Sequence, residues 1–143
     1  MTVKDNMTRF LRVKHDALIM DAAVLMREKG TGSTLVEKEG KPVGVLTERD
    51  FLKKVVAKGL DSATVKVEEI MSAPIITIGE NEKVKEAYTL MNEKNIRRLA
   101  VTNEKGEVVG KVTSHGISRS IGFEKLKKTF VDKPRQYYAG NVR

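Results

Sequence analysis

The sequence predicts an α+β fold in which two similar β-α-β-β-α units pack as a pseudo-twofold pair, followed by a short C-terminal helical extension. An internal repeat is the first observation: DAAVLMREK at 21–29 recurs in outline as KEAYTLMNEK at 85–94, and LVEKEGKPVGVLT at 35–47 recurs as AVTNEKGEVVGKVT at 100–113. Within each copy, apolar residues switch between helical and strand spacing. A single three-stranded sheet would leave one face exposed, so the two units are expected to pack against each other.

The first unit is expected to open with an extended run at 10–13 and to continue into a helix with apolar residues at helical spacing. Asp16 is a candidate N-cap for this helix, because a carboxylate can accept hydrogen bonds from the free N–H groups of a first turn. Gly30 and Gly32 are expected to end the helix, since glycine readily adopts the left-handed conformation found at helix C-termini.

A hairpin and a second helix complete the first unit. Strands are expected at 34–36 and 42–46, joined by the turn EKEGK, and a helix is expected over 48–58. The second unit repeats this order, with an extended run at 74–78 and a helix capped by Glu80 or Asn81.

The second unit then continues with a hairpin at the turn NEKGE and a helix over 114–120. Beyond this helix the pattern changes, and a further amphipathic turn or two is expected before Pro134. The expected domains are therefore a first unit at 5–62, a second unit at 68–121 and a basic C-terminal extension at 122–143.

The composition restricts the classes of function. Of 143 residues, 27 are Lys or Arg and 19 are acidic, so the formal net charge is +8, which favours an anionic partner. Cysteine is absent, which excludes disulfides and thiolate metal sites. No apolar run approaches the roughly 20 residues that cross a membrane, and the charged start MTVKDNMTRF lacks a signal sequence, so a cytoplasmic protein with no membrane partner is expected.

The residues TERD at 47–50 allow two interpretations. In the first, Thr47 and Asp50 form a capping box at the start of a helix and have a structural role only. In the second, Gly44 lets a ligand approach the end of the strand, and the Asp50 carboxylate accepts hydrogen bonds from the cis-diol of a ribose. These residues alone leave both interpretations open.

Arg97 and Arg98 directly precede the apolar strand LAV of the second unit. Arginine makes strong charge-assisted hydrogen bonds to phosphate, so the pair is a candidate for binding the phosphates of a nucleotide. A solvated surface pair is the alternative.

The repeated unit and the strings GVLTERDF, DAAVLMREKG and IRRLAV resemble a tandem pair of cystathionine β-synthase (CBS) domains, often called a Bateman module. The resemblance covers about residues 5–121. It implies binding of an adenosine ligand, usually AMP, ADP or ATP, and no further cofactor. The residues it implicates are Gly44, Val45, Leu46, Thr47, Asp50, Ile75, Ile76, Arg97, Arg98 and His115.

The resemblance also implies a role for each of these residues. Thr47 and Asp50 would hold the ribose, and the apolar residues together with Gly44 would contact the adenine. Arg98, with Arg97 and His115, would meet the phosphates.

The second copy of the motif, GKVTSHG at 110–116, departs from the pattern. Gly116 stands where the first copy has its acid, and Lys111 occupies the strand. Because Gly116 offers no group to accept the ribose hydroxyls, we expect one nucleotide per chain, with the Gly116 site empty or much weaker.

Two functions are consistent with these observations. The first is a non-enzymatic sensor that binds an adenine nucleotide, forms a homodimer and signals its occupancy to an unidentified partner protein; no catalytic constellation is apparent. The alternative is a nucleic-acid-binding protein, in which the basic tail, with Phe130, Tyr137 and Tyr138 among its lysines, contacts phosphates and stacks on bases.

Overall fold

The computed structural model describes residues 1–122, which form two three-stranded sheets of identical topology. In each sheet the first strand pairs parallel with the second, and the second pairs antiparallel with the third. The first sheet contains β1 (Arg12–Lys14), β2 (Ser33–Lys38) and β3 (Lys41–Thr47), and the second contains β4 (Thr77–Gly79), β5 (Arg98–Thr102) and β6 (Val108–Thr113).

This topology confirms the α+β fold of two repeated units. The strands that open the units begin later than expected and are short, at Arg12 and Thr77. The extension expected at 122–143, on which the nucleic-acid-binding alternative depends, lies outside the described residues except for Gly122.

The four predicted helices occur in the predicted order, and two short helical segments that were not predicted, Val3–Asn6 and Val67–Ile70, occur as well. The expected helix over 48–58 is a short α-helix continued by a π-helical segment, in which the Ala57 N–H donates to the Leu52 carbonyl five residues earlier, at 3.0 Å. The helices are a 3₁₀ turn at Val3–Asn6, α1 (Ile19–Lys29), α2 (Glu48–Asp50) with the π-helix Phe51–Val56, α3 (Val67–Ile70), α4 (Val84–Lys94) and α5 (Ser114–Ile121).

The predicted N-caps of α1 and α4 are wrong. Their N-cap residues are Leu18 and Lys83, neither of which makes a side-chain capping hydrogen bond. Backbone carbonyls from other segments replace the caps: Ile19 N–H donates to Val65 O at 2.9 Å, and Val84 N–H donates to Met1 O at 3.2 Å. The first turns are therefore satisfied by tertiary contacts rather than by Asp16, Glu80 or Asn81.

α1 ends at Gly30, one of the two glycines predicted to end it, whereas Gly32 lies beyond the helix and directly before β2. Gly30 adopts a left-handed conformation with φ of 63°, and its N–H donates to carbonyls of the last helical turn. Asn95 has the same role after α4, with φ of 54°.

The segment that precedes the first strand of each unit pairs with the sheet of the other unit, and these two stretches are called the exchanged segments. Ser72, in the segment that leads into β4, pairs with Val45 of the first sheet through two backbone hydrogen bonds of 2.9 and 2.8 Å. Thr8, in the segment that leads into β1, pairs in the same way with Lys111 of the second sheet, at 2.8 and 2.9 Å. Consistently, Val3 packs in the core of the second unit, while α3 packs in the core of the first.

A third apolar cluster joins the two sheets. Phe10, Leu35 and Ala100 are buried between the units, and partly buried residues from both sheets surround them. This interface confirms that the repeats cover each other's exposed sheet face.

Two glycines allow the exchanged segments to approach the sheets. A Cβ at Gly44 would lie 2.6 Å from Met71 Sδ and 3.0 Å from Ser72 O, and one at Gly110 would lie 2.8 Å from Thr8 O. Gly110 therefore has little tolerance for a side chain, because the nearest atom belongs to the Thr8 backbone, which is held by two hydrogen bonds to Lys111.

We expect Gly110→Ala to destabilise the protein by about 1–3 kcal/mol, the usual cost of overpacking. Urea denaturation of the variant and the wild type measures the difference. Gly79→Ala is the matched control, because a Cβ at this strand position meets nothing closer than 3.7 Å. Equal losses of stability in both variants would contradict the role given to Gly110.

Within residues 1–122, none of the helices combines the length and the apolar character needed to cross a membrane.

Candidate functional site

The Thr47–Asp50 turn lies where β3 meets α2, and its carboxylate is buried, with Asp50 only 3% exposed. Asp50 Oδ2 accepts hydrogen bonds from the Thr47 N–H at 2.9 Å and from Thr47 Oγ1 at 3.1 Å. Thr47 Oγ1 in turn accepts from the Asp50 N–H at 3.2 Å. The capping box is therefore formed, and it orients the carboxylate firmly.

The second carboxylate oxygen of Asp50 faces the exchanged segment. Oδ1 accepts a hydrogen bond from Ser72 Oγ at 2.8 Å and lies 2.9 Å from Lys54 Nζ, which also donates to Ile70 O. Ser72 is exposed and the Lys54 side chain is 38% exposed, so both can exchange partners with solvent or with a ligand. Oδ1 is thus the oxygen that can accept a new donor.

Sequence reasoning did not assign Ser72 or Lys54 to the site. Lys54 lies four residues after Asp50 in one helical segment, the spacing at which opposite charges meet. Ser72 follows Met71 as Thr8 follows Met7, so the repeat itself marks these two positions. Both signals were present in the sequence, although neither identifies a ligand site alone.

The apolar residues expected at the site do not all lie on one side. Val45 and Ile75 pack against the cluster between the sheets, from opposite units. Leu46 is fully buried in the core of the first unit, and Ile76 packs against the core of the second. Adjacent residues of an extended chain point to opposite faces, so only one of each neighbouring pair lines the space between the units.

Gly44 is covered by the protein itself. The close approach that its missing side chain permits is made by Met71 and Ser72, which bring the Ser72 hydroxyl to Asp50.

The Arg98 side chain extends from the second unit and contacts the first. Its Nη1 donates to the Gly32 carbonyl at 3.3 Å, while its Nε is buried and has no hydrogen-bond partner among the described residues. Burial lowers the pKa of Arg98 from its ordinary value, and the nearby carboxylates of Glu48 and Asp50 oppose that shift. A partly buried guanidinium with a donor left without a partner is suited to an added anion.

The other two cations of the predicted site are more peripheral. Arg97 and His115 are both exposed, and the Arg97 carbonyl accepts a hydrogen bond of 2.9 Å from Ser114 N–H. The Arg97 backbone thus anchors the start of α5, while its side chain is in solvent.

Glu48 lies between these groups and a neighbouring cavity. Its carboxylate lies so close to Gly32 that a Cβ there would clash with Oε1. A cavity of about 450 Å³ opens on this side, and it does not reach Asp50 or Arg98; its lining residues are Ala23, Met26, Arg27, Gly30, Thr31, Gly32, Glu48 and Phe51. Within residues 1–122, no three His, Cys, Asp or Glu side chains are grouped as a metal site would require.

The second copy of the motif has a different interior. Thr113 Oγ1 accepts from the Gly116 N–H at 2.9 Å, so the helix cap is kept without the acid. Lys111 is only 7% exposed, and its Nζ donates to Thr31 Oγ1 at 2.6 Å and to Ser33 Oγ at 2.9 Å. The ammonium also lies 5.4 Å from the centre of the Phe10 ring.

Burial lowers the pKa of Lys111 from 10.5 to about 8, and the nearby Arg98 acts in the same direction. Between these two values the unfolded chain binds more protons than the folded chain. Stability due to this residue therefore increases as the pH rises from about 8 towards 10.5.

We expect Lys111→Met to be more stable than the wild type by about 1 kcal/mol at pH 7, because a buried charge is replaced by an apolar side chain of similar size. This advantage should shrink at pH 10, where Lys111 is largely neutral in the folded protein. Urea denaturation of both proteins at the two pH values measures the change. A stability difference that does not vary with pH would contradict the prediction.

Comparison with known proteins is consistent with this architecture. The family model described as "CBS domain" matches twice, at residues 3–57 and 67–122. An uncharacterized protein of Methanopyrus kandleri is 41% identical over 99 residues, which cover 68% of this chain and 50% of that protein. The chain therefore spans about half the length of this relative.

Solved structures show the same arrangement. A protein with CBS domains from Burkholderia ambifaria superposes with a TM-score of 0.77 at 29% identity, covering 85% of this chain and 94% of that one. A CBS domain pair solved in complex with 5′-methylthioadenosine and S-adenosyl-L-methionine superposes with a TM-score of 0.75 at 32% identity, covering 85% and 100%.

Proposed function

The chain belongs to the CBS domain family, and on that premise we propose that it is a regulatory module that binds one adenine nucleotide between its units and signals this occupancy to a partner protein. CBS domain pairs are generally regulatory modules rather than enzymes. One observation carries the proposal: the buried carboxylate of Asp50, on the first unit, is close enough to Arg98 of the second unit to interact with it electrostatically.

The ribose would bind at Asp50 Oδ1. Ser72 Oγ and Lys54 Nζ already supply two donors to this oxygen, at 2.8 and 2.9 Å, and both groups are accessible to solvent. A cis-diol supplies two donors of the same kind, so it can replace them without leaving the carboxylate unsatisfied. Val45 and Ile75, one from each unit, would contact the adenine.

The phosphates would bind at Arg98. The Nε of its partly buried guanidinium has no hydrogen-bond partner among residues 1–122, and a phosphate would add a negative charge close to this cation. The cationic sulfonium of S-adenosylmethionine lacks this attraction. We therefore expect AMP, ADP or ATP to bind more tightly than S-adenosylmethionine.

A ligand held in this way would couple the two units. Asp50 belongs to the first unit, whereas Ile75 and Arg98 belong to the second. Binding would therefore stabilise one arrangement of the pair over others, and a partner that distinguishes these arrangements would respond to the ligand.

Calorimetric titration with AMP, ADP, ATP, adenosine and S-adenosylmethionine tests the proposal. We expect one equivalent of nucleotide per chain, with affinity that depends on the phosphates. Failure of all five ligands to bind below millimolar concentration would reject an adenosine-sensing function.

A homodimer is part of the proposal. Two apolar helix residues, Leu52 and Val56, are 61% and 71% exposed and are candidates for its interface. Val55 is instead buried in the core of the first unit, and Leu90 packs against the core of the second. Two large apolar side chains one helical turn apart form an exposed ridge that a second copy can cover.

Light scattering should give twice the 16.0 kDa chain mass at micromolar concentration. Leu52→Glu is expected to give monomers, because a charge would be buried at the interface. Val109→Glu, at a 40% exposed position on β6, is the matched control and should remain dimeric. A monomeric wild type would refute the homodimer.

A further inference from the structure

We propose that Lys111 acts as an internal plug that fills the space between the units beside Gly116 (the second cleft), so that the absence of an acid at Gly116 is not the only barrier to a second ligand. This inference rests on the proposed function, because the plugged space is the counterpart of the space beside Asp50 in which the nucleotide is proposed to bind (the Asp50 cleft). Lys111 and the missing acid at Gly116 would together limit the chain to one ligand.

Strand register identifies the counterpart positions. Val45 lies opposite Leu35 in the first sheet, and Lys111 lies opposite Ala100 in the second. Leu35 and Ala100 are both buried between the sheets, so Val45 and Lys111 occupy equivalent places on the two sides of the interface. Where the Asp50 cleft has a short valine, the second cleft has a lysine.

The lysine spans the space that a ligand would need. Its Nζ is bonded to Thr31 and Ser33, which belong to the first unit and lie about 80 residues away in the chain. These bonds, the Phe10 ring and the low exposure of 7% show that the side chain is packed across the interface. A ligand entering here would have to expel the ammonium and break both hydrogen bonds.

The plug also changes the charge of the cleft. Among residues 1–122, Lys111 makes no ion pair with a carboxylate, and Arg98 is close enough to disfavour its protonated form. Its partners are two hydroxyls and an aromatic ring, which interact favourably with an ammonium group but carry no negative charge to balance it. The second cleft is therefore filled by the protein's own cation.

Restoring the acid alone should consequently fail to create a second site. A Cβ at Gly116 would lie 3.0 Å from Thr113 Oγ1, which is the group that caps α5. Gly116→Asp would thus rebuild the Thr–Asp pair of the first motif with only a small adjustment. The cleft above it would still contain Lys111.

Calorimetry with AMP on three proteins tests the proposal. The wild type and Gly116→Asp should each bind one equivalent per chain, while Lys111→Val/Gly116→Asp should bind two, with the second dissociation constant within about tenfold of the first. Valine is the residue at the equivalent position 45, which makes it the matched replacement.

Two results would overturn the plug: a second equivalent bound by Gly116→Asp alone, or a folded double variant that binds no more AMP than the wild type. Lys111→Ala/Gly116→Asp is the second variant, and cooperative thermal unfolding establishes that each protein is folded. If neither double variant unfolds cooperatively, Lys111 is needed for folding and the plug is rejected. Failure of the proposed function is distinct, because in that case the wild type itself binds no AMP.

Discussion

Asp50→Ala is expected to weaken adenine nucleotide binding by about a hundredfold or more. A carboxylate that accepts both ribose hydroxyls makes two charge-assisted hydrogen bonds, each worth about 1.5–3 kcal/mol. Their combined loss of about 3 kcal/mol or more corresponds to at least a hundredfold in affinity. Calorimetric titration of the variant with AMP measures this loss.

The same substitution should also lower stability, by about 2 kcal/mol. Asp50 closes the capping box with Thr47, and removal of such a cap costs about 0.5–2 kcal/mol. The neighbouring ammonium of Lys54 would also lose its buried counter-charge, although it would keep its hydrogen bond to the Ile70 carbonyl. Binding must therefore be measured well below the unfolding temperature of the variant.

Ser72→Ala is the matched control for Asp50→Ala. It removes one donor to Oδ1 and leaves the carboxylate in place, so nucleotide binding should be unchanged or slightly tighter. A folded Asp50→Ala protein that binds AMP as the wild type does would leave Asp50 with the capping role alone.

Arg98→Ala is expected to weaken AMP binding by roughly 10- to 150-fold and to leave adenosine binding nearly unchanged. A charge-assisted hydrogen bond to phosphate is worth about 1.5–3 kcal/mol. Adenosine has no phosphate, so its binding does not depend on this hydrogen bond. Parallel titrations of AMP and adenosine separate the two effects.

Arg97→Ala is the control, because it removes one positive charge next to Arg98 from an exposed side chain. Its side chain is exposed, so its interaction with phosphate is screened by water and should contribute far less than that of Arg98. If Arg98→Ala weakens adenosine and AMP equally, Arg98 supports the fold or the base pocket through its bond to the Gly32 carbonyl.

The sequence by itself determined the repeated unit, the order of its elements and the capping box at Thr47 and Asp50. These features depend on residues close together in the chain: strand alternation, helical spacing, glycine at the end of α1 and a hydroxyl three residues before an acid. Repetition strengthened each of them, because the same local pattern occurs twice.

Helix starts and side-chain directions were less predictable. The N-caps of α1 and α4 were misassigned because carbonyls of distant segments, such as Val65 O, satisfy their first turns. The family resemblance assigned Leu46 and Ile76 to the site together with Val45 and Ile75, although the backbone directs Leu46 and Ile76 into separate cores.

Only the tertiary structure decided which unit each leading segment joins and what fills the second cleft. The bonds from Lys111 to Thr31 and Ser33 connect groups far apart in the chain, and no local pattern encodes such a pairing. The contact of Ser72 with Asp50 similarly requires the exchanged segment to lie against Gly44. Sequence periodicity specifies which face of an element is buried, but the partner that covers this face is selected by the packing of the whole chain.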